Sequence, residues 1–369
     1  MSDVAAGSAR RVLAGRGVAA VGRLLFAVLA GISVVCAGFL LPYGNSASAQ
    51  PSGPPSLRPL TIGFVRHVFG PWTARIADGG FEKATGRTIR WQHFSTDSEV
   101  VAAMAGGQVD VGLIGAGVGA AAFAHGFDLR VFYVLGRAPE NDAIVRAGSE
   151  QGNPDPRSLA KKVVAVPFGS TPHFMLLSSL RSWGLNLQDV RIVNLQVPQI
   201  LKAWSRKEID AAAVSEPALS RLKRNGSVLA FAPAVSSGDF IVMAAAADFV
   251  SKHEVFLARM IDVMSRSQDD FEVNATGFTE SAADVRSIAF VLDVEPASVV
   301  SRMGRYRAPA LIRQYSAAFL GGGPESEFAA GLKETAEIWH WGARLNSIEI
   351  DFARMLTPLP VGRALTYKR

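Results

Sequence analysis

From Leu60 onward the chain alternates short β-branched or aromatic runs with longer segments of helical periodicity, and it does so in two successive series. The first reads LTIGFV as a strand, PWTARIADGGFEKATG as an amphipathic helix closed by Gly86, and TIRWQHF as a strand. SEVVAAMAGG follows as a helix, VDVGLIG as a strand, VGAAAFAHG as a small-residue helix and LRVFYVLG as a strand. The second series runs through the strands DAIVRA, VVAVPF, VRIVNL and AAAVSE, with helices near residues 158–161, 172–183, 199–207 and 218–225. Alternation of this kind buries its apolar faces as α/β layers around a largely parallel sheet. Two comparable units in tandem suit a chain of 369 residues.

After Gly238 a strand-like FIVMAAA gives way to helical segments, amphipathic over 255–269, 282–292 and 328–345. A separate helical third domain is one reading. One strand followed by helices predicts instead a chain that crosses back to complete the first unit. The crossovers then fall near 136–142 and 236–240, and the units run over 60–138, 139–237 and, on return, 238–369. Two lobes joined this way enclose a cleft at their strand ends, where open α/β sheets bind ligands.

Ahead of this pattern, Arg10, Arg11, Arg16 and Arg23 precede an apolar stretch over 24–41, and Ala47-Ser48-Ala49 follows it. Basic segment, apolar segment and small-residue site predict a secretory signal over 1–49, cut after Ala49, with an uncleaved membrane anchor as the alternative. The proline-rich 50–59 reads as a disordered tether. The signal holds four arginines, one aspartate and the single cysteine, Cys36. Its removal takes the formal charge from +6 to +3 and leaves no thiol. No basic run remains for nucleic acid, and disulfides, thiolate nucleophiles and cysteine metal sites are excluded from the mature chain.

Two helix starts carry the candidate chemistry. In GSTPH, Ser170 and Thr171 fall at the expected N-cap and Pro172 suits the first helical turn, so the free N–H groups there can hold an anion. Ordinary capping without a ligand explains the same residues. Gly115-Ala116-Gly117-Val118-Gly119-Ala120 matches the dinucleotide pattern GxGxxG/A between a strand and a helix, but no acidic residue ends the next strand, which stops at Arg137. A close-packed turn, or a second anion-ready end, is the better reading. Facing one cleft, the two ends can share an oxyanion such as carboxylate, sulfonate or phosphate.

The six histidines, His67, His93, His125, His173, His253 and His340, lack metal-ligand spacing, and GxSxG is absent, so neither a metal nor a nucleophile is expected. His173 either packs at the turn or touches the ligand. Asp97, Glu216 and Asp239 lie near expected strand ends, and one carboxylate in the cleft would pair with a ligand ammonium.

Three segments, KKVVAVPFGSTPHFMLLSSLRSWGL, VRIVNLQVPQILKAWSRKEIDAAAVSEPAL and, more weakly, VVAAMAGGQVDVGLIGAG, resemble the periplasmic substrate-binding subunits of taurine and aliphatic-sulfonate ABC importers. That family grades into nitrate- and thiamine-precursor-binding proteins. The resemblance implies a two-lobe type II periplasmic-binding-protein fold, each lobe a mixed sheet flanked by helices. It also implies a monomer that binds a small anion without a cofactor and docks on a permease driven by an ATPase. It implies anion contacts from Ser170, Thr171 and His173, backbone contacts from Gly115, Ala116 and Gly117, and a carboxylate, Glu216 or Asp239, for a ligand amine. The chain departs from the family at Gly115-Ala116-Gly117-Val118, where two hydroxyl donors are missing, at Ser215-Glu216-Pro217, where an aromatic wall is lost, and at Ser95-Thr96-Asp97-Ser98 in place of a Ser-Gly turn. Two alternatives stand beside this expectation: an enzyme on the same scaffold working through Ser170 and His173 or a carboxylate pair, and a membrane-tethered sensor domain.

Overall fold

The computed structural model describes residues 58–137, 142–148, 155–231, 240–342 and 349–367. The expected signal, most of the tether, most of both crossovers and Asp239 lie outside the described residues. Ten strands form two five-stranded sheets. The first contains β1 (Leu60–Val65), β2 (Ile89–Phe94), β3 (Val111–Gly115), β4 (Leu129–Gly136) and β10 (Ile241–Ala246) in the order β2-β1-β3-β10-β4. The second contains β5 (Asp142–Ala147), β6 (Val163–Val166), β7 (Arg191–Asn194), β8 (Ala211–Ser215) and β9 (Gly226–Phe231) in the order β7-β6-β8-β5-β9.

The two orders are the same pattern. In each sheet three parallel strands lead, and the fourth place is taken by a strand that runs against its neighbours, β10 in one and β5 in the other. Each reversed strand is the first after a crossover, which fixes its direction.

Helices fill the spaces between strands. In the first lobe these are α1 (Ala74–Ala77), α2 (Gly80–Thr85), α3 (Asp97–Ala105) and α4 (Ala116–Ala124); in the second, α5 (Thr171–Ser182), α6 (Val197–Ser205) and α7 (Ala218–Leu222). After β10 come α8 (Ala247–Lys252), α9 (Glu254–Val273), α10 (Ala283–Leu292), α11 (Pro296–Met303), α12 (Leu311–Gln314), α13 (Glu327–Trp341) and α14 (Leu359–Leu365). Most of these pack on the first lobe, while α13 touches both α4 and α5.

The second sheet shows the period-2 logic of a strand buried on both faces. Ala143, Val145, Ala165, Ala212 and Val214 face α6 and α7, whereas Ile144, Val164, Val166, Ala211 and Ala213 face α5. Small alanines on β8 bring the helices close.

Two elements differ from expectation. The segment expected as one helix before Gly86 breaks after α1, because Gly79 takes a φ of +68° and the Asp78 carboxylate accepts the Gly80 N–H at 2.8 Å. The helix expected over 218–225 stops at Leu222, and β9 follows it. Strand β9 lies at a sheet edge and buries only Leu229 of its six residues, and its apolar run VLAF over 228–231 has no alternation that separates a strand from the end of a buried helix.

Candidate functional site

The loops that follow β1, β2, β3, β6 and β8 converge where the lobes meet, and the helix starts among them interlock. Asp97, the first residue of α3, is fully buried, and its Oδ1 accepts the Gly115 N–H at 2.9 Å. Its Oδ2 faces the hydroxyl of Thr171, the first residue of α5, at 3.5 Å. One internal carboxylate therefore sits at both of the helix ends expected to hold an anion. Two further donors are committed: the Ala116 N–H goes to the Phe240 carbonyl at 2.8 Å, and the Ser170 hydroxyl accepts the His173 N–H at 3.3 Å while donating to the Pro167 carbonyl at 2.6 Å. Ser170 is thus a helix cap whose proton is spent inside the turn.

The turn is clamped across the lobes. Ser98 donates to the Gly169 carbonyl from its N–H at 3.2 Å and from its hydroxyl at 2.6 Å. Gly169 has a φ of +69°, and a Cβ there would lie 1.8 Å from the Ser98 hydroxyl. The Gly169 N–H donates to Nδ1 of His173 at 3.1 Å, and the imidazole stacks on Phe168 with centroids 4.6 Å apart and meets Trp339 edge-on at 5.2 Å. Trp339 in turn donates to the Gly117 carbonyl at 2.9 Å. A largely apolar cavity of about 520 Å³ lies against this junction, between α3, α4 and Trp339 on one side and Phe168, Gly169 and His173 on the other.

Gly115, Ala116, Gly117, Ser170, Thr171 and His173 are therefore brought together, chiefly through one another. Glu216 stands at the end of β8 and accepts the N–H and hydroxyl of Ser220 at 3.1 and 2.9 Å. It adds its charge to a second cluster that sequence reasoning missed. Asp142 opens β5 with 8% exposure, and its Oδ1 has no hydrogen-bond partner. Burial pushes its carboxyl above the usual aspartate range; nearby Asp97 adds to the rise, while His67, the Ser215 hydroxyl and Arg302 oppose it.

Arg302 on α11 is the counterpart, 2% exposed. Its Nη2 donates to the His67 carbonyl at 3.2 Å, the Phe69 ring lies 3.8 Å beneath it, and Nε and Nη1 have no partner. Burial lowers its pKa to about 10, against the pull of Glu216 and Asp142. A signal for it existed, since Val299 and Met303 are buried on the same helix face and Arg302 stands where an apolar residue is due. Among the described residues, no group of three or more His, Cys, Asp or Glu side chains could hold a metal ion.

Two mixed sheets of matching strand order, the first completed by a strand that returns from beyond the second, and meeting at their strand ends, define a periplasmic-binding-protein fold. Solved structures agree: the alkanesulfonate-binding protein SsuA from Xanthomonas axonopodis pv. citri bound to MOPS superimposes with a TM-score of 0.65 at 19% identity, covering 80% of this chain and 96% of that one. The periplasmic aliphatic sulphonate binding protein SsuA from Escherichia coli gives 0.62 at 20% identity, covering 82% and 98%. The chain belongs to the NMT1-like family, whose model matches residues 53–285. It is also 37% identical over 153 residues to the taurine-binding periplasmic protein of Escherichia coli (strain K12), a match covering 42% of this chain and 47% of that one, about half the relative's length.

Proposed function

We propose that the protein is the non-enzymatic substrate-binding subunit of an ABC importer, exported by the signal over 1–49, which captures a small organic oxyanion by closing its lobes and delivers it to a permease. The observation that carries this reading is the lobe junction itself. Thr171 and Gly169 of the second lobe contact Asp97 and Ser98 of the first at 2.6 to 3.5 Å, beside buried charges contributed from both sides. Contacts of that kind exist only when the lobes meet, so a ligand bridging them favours the closed state over an open one. The name of the taurine-binding relative and the titles of the two sulfonate-binding structures support a sulfonate as the oxyanion.

Thermal unfolding in the presence of taurine, longer alkanesulfonates and nitrate tests the reading. A ligand at about one hundred times its Kd adds roughly 2.7 kcal/mol and raises Tm by several degrees. No stabilisation by any member of that panel sinks the proposal. Ser170→Ala is expected to lower the unliganded Tm through loss of the cap, by about 1 kcal/mol, and to leave the ligand-induced shift intact. N-terminal mass analysis of the exported protein, beginning at Gln50, tests the signal.

A further inference from the structure

If a small oxyanion is the ligand, its negative charge needs a partner, and at the two helix starts the Asp97 carboxylate already stands against the Gly115 N–H and the Thr171 hydroxyl, while the Ala116 N–H goes to the Phe240 carbonyl. Unmet hydrogen-bonding capacity lies elsewhere at the same junction. The guanidinium of Arg302 is buried on the side of the first lobe, held by the His67 carbonyl and the Phe69 ring. Its Nε and Nη1, on different edges of the guanidinium, are both buried without a partner, and either can give an oxyanion one charge-assisted bond. From the second lobe, Asp142 presents a buried Oδ1 that is likewise unpaired, and the Nε2 of His67 is a fourth such atom.

A buried arginine and a buried aspartate that feel each other's charge, yet each keep an unpaired atom, are costly unless something completes both. We propose that Arg302 holds the ligand's oxyanion through one of its two unmet N–H groups, and that Asp142 takes an ammonium on the same small molecule across the lobe junction. This rests on the binding-subunit reading above and deepens it. The ligand class becomes a short zwitterion, sulfonate or carboxylate at one end and amine at the other. Such a molecule neutralises each buried charge with its opposite, so neither lobe closes on an uncompensated ion. A sulfonate without an amine satisfies Arg302 and leaves Asp142 unpaired.

Titration calorimetry on the purified protein with taurine, β-alanine and ethanesulfonate tests this, the first two sharing the amine and differing in the oxyanion. Taurine, β-alanine or both are expected to bind, and ethanesulfonate to bind at least about tenfold more weakly, the loss of one charge-assisted bond. Asp142→Asn is expected to bring taurine and ethanesulfonate to within about threefold of each other. Arg302→Met separates binding from folding. An apolar side chain suits that face of α11, so the variant is expected to melt at or above the wild-type temperature while losing at least about tenfold in affinity for every probe that binds.

Wild-type-like binding in Arg302→Met, or ethanesulfonate binding as tightly as taurine, overturns the inference. Failure of all three probes on the wild-type protein also overturns it. In that case stabilisation by nitrate or a longer sulfonate in the wider panel keeps the binding-subunit reading, and no stabilisation by anything removes both.

Discussion

The lobe junction holds two polar regions that treat their hydrogen bonds in opposite ways. Around Gly115 and Thr171 every group discussed has a partner from the protein: Asp97 serves two elements, Ser170 closes its own turn, and Ser98 clamps Gly169 twice. Around Arg302 and Asp142 the reverse holds, with Nε, Nη1 and Oδ1 buried and unmet. Satisfied networks hold a structure in place, whereas buried unsatisfied groups are carried at a cost that folding alone does not repay. The difference is the ground for the proposal that the second region, rather than the first, takes the ligand.

The largest expected effect breaks the first region at its centre. Asp97→Ala strands the Gly115 N–H and the Thr171 hydroxyl in a buried site, at about 1–3 kcal/mol for each such group. Chemical denaturation is expected to show a loss of about 3 kcal/mol, visible without ligand. A loss below about 0.5 kcal/mol would mean that the carboxylate is not structural and that the helix ends remain available to an anion.

Much of this arrangement was legible. The α/β alternation and the return of the chain to its first unit follow from the β-branched runs, whereas the strand order and the reversed strand in each sheet do not, and both helix starts announce themselves through glycine, serine, threonine and proline. The occupant of those starts was not legible, because Asp97 lies 74 residues from Thr171 and only the fold brings them together. Read along the chain, Asp97 is an acid at a strand end like Glu216, and nothing local says that one is fully buried and the other is not. Arg302 was closer to visible, being a charge on the buried face of PASVVSRM, but its meaning depends on Phe69, His67 and Asp142, which belong to other elements and to both lobes. Edge strand β9 was missed for a third reason: its short apolar run VLAF follows an expected helix directly and has no alternation to mark it as a strand.

A smaller effect sharpens the comparison by wedging the clamp. Gly169→Ala places a Cβ 1.8 Å from the Ser98 hydroxyl and strains a φ of +69°, whereas Gly184→Ala strains a similar φ of +70° with nothing within 4 Å. The backbone term is about 1–2 kcal/mol in both. Gly169→Ala is therefore expected to cost about 1 kcal/mol more than Gly184→Ala, and it alone should weaken ligand binding, since only it forces the lobes apart. Equal losses with unchanged affinity would show that the Ser98 contact gives way freely.

The smallest effect has a sign that depends on pH. Burial raises the Asp142 carboxyl, so the folded state favours the protonated form. Stability from that form is fully present below the unfolded value, about 3.9, and is lost as pH rises through the raised folded value. Above that raised value the wild-type protein carries an ionised, incompletely paired Asp142, and Asp142→Asn removes that charge while keeping an acceptor for Ser215. The unliganded variant is expected to melt about 2–4 °C higher there, corresponding to roughly 1 kcal/mol. The gain should shrink as pH falls through the raised folded value, as the wild-type side chain becomes neutral too. A gain of equal size at pH 4 and pH 8 would assign it to packing, and a loss at neutral pH would mean that Asp142 is already fully paired in the free protein. In the predicted case the stability gained and the amine preference lost arise from the same oxygen, which is the signature of a group kept for its ligand.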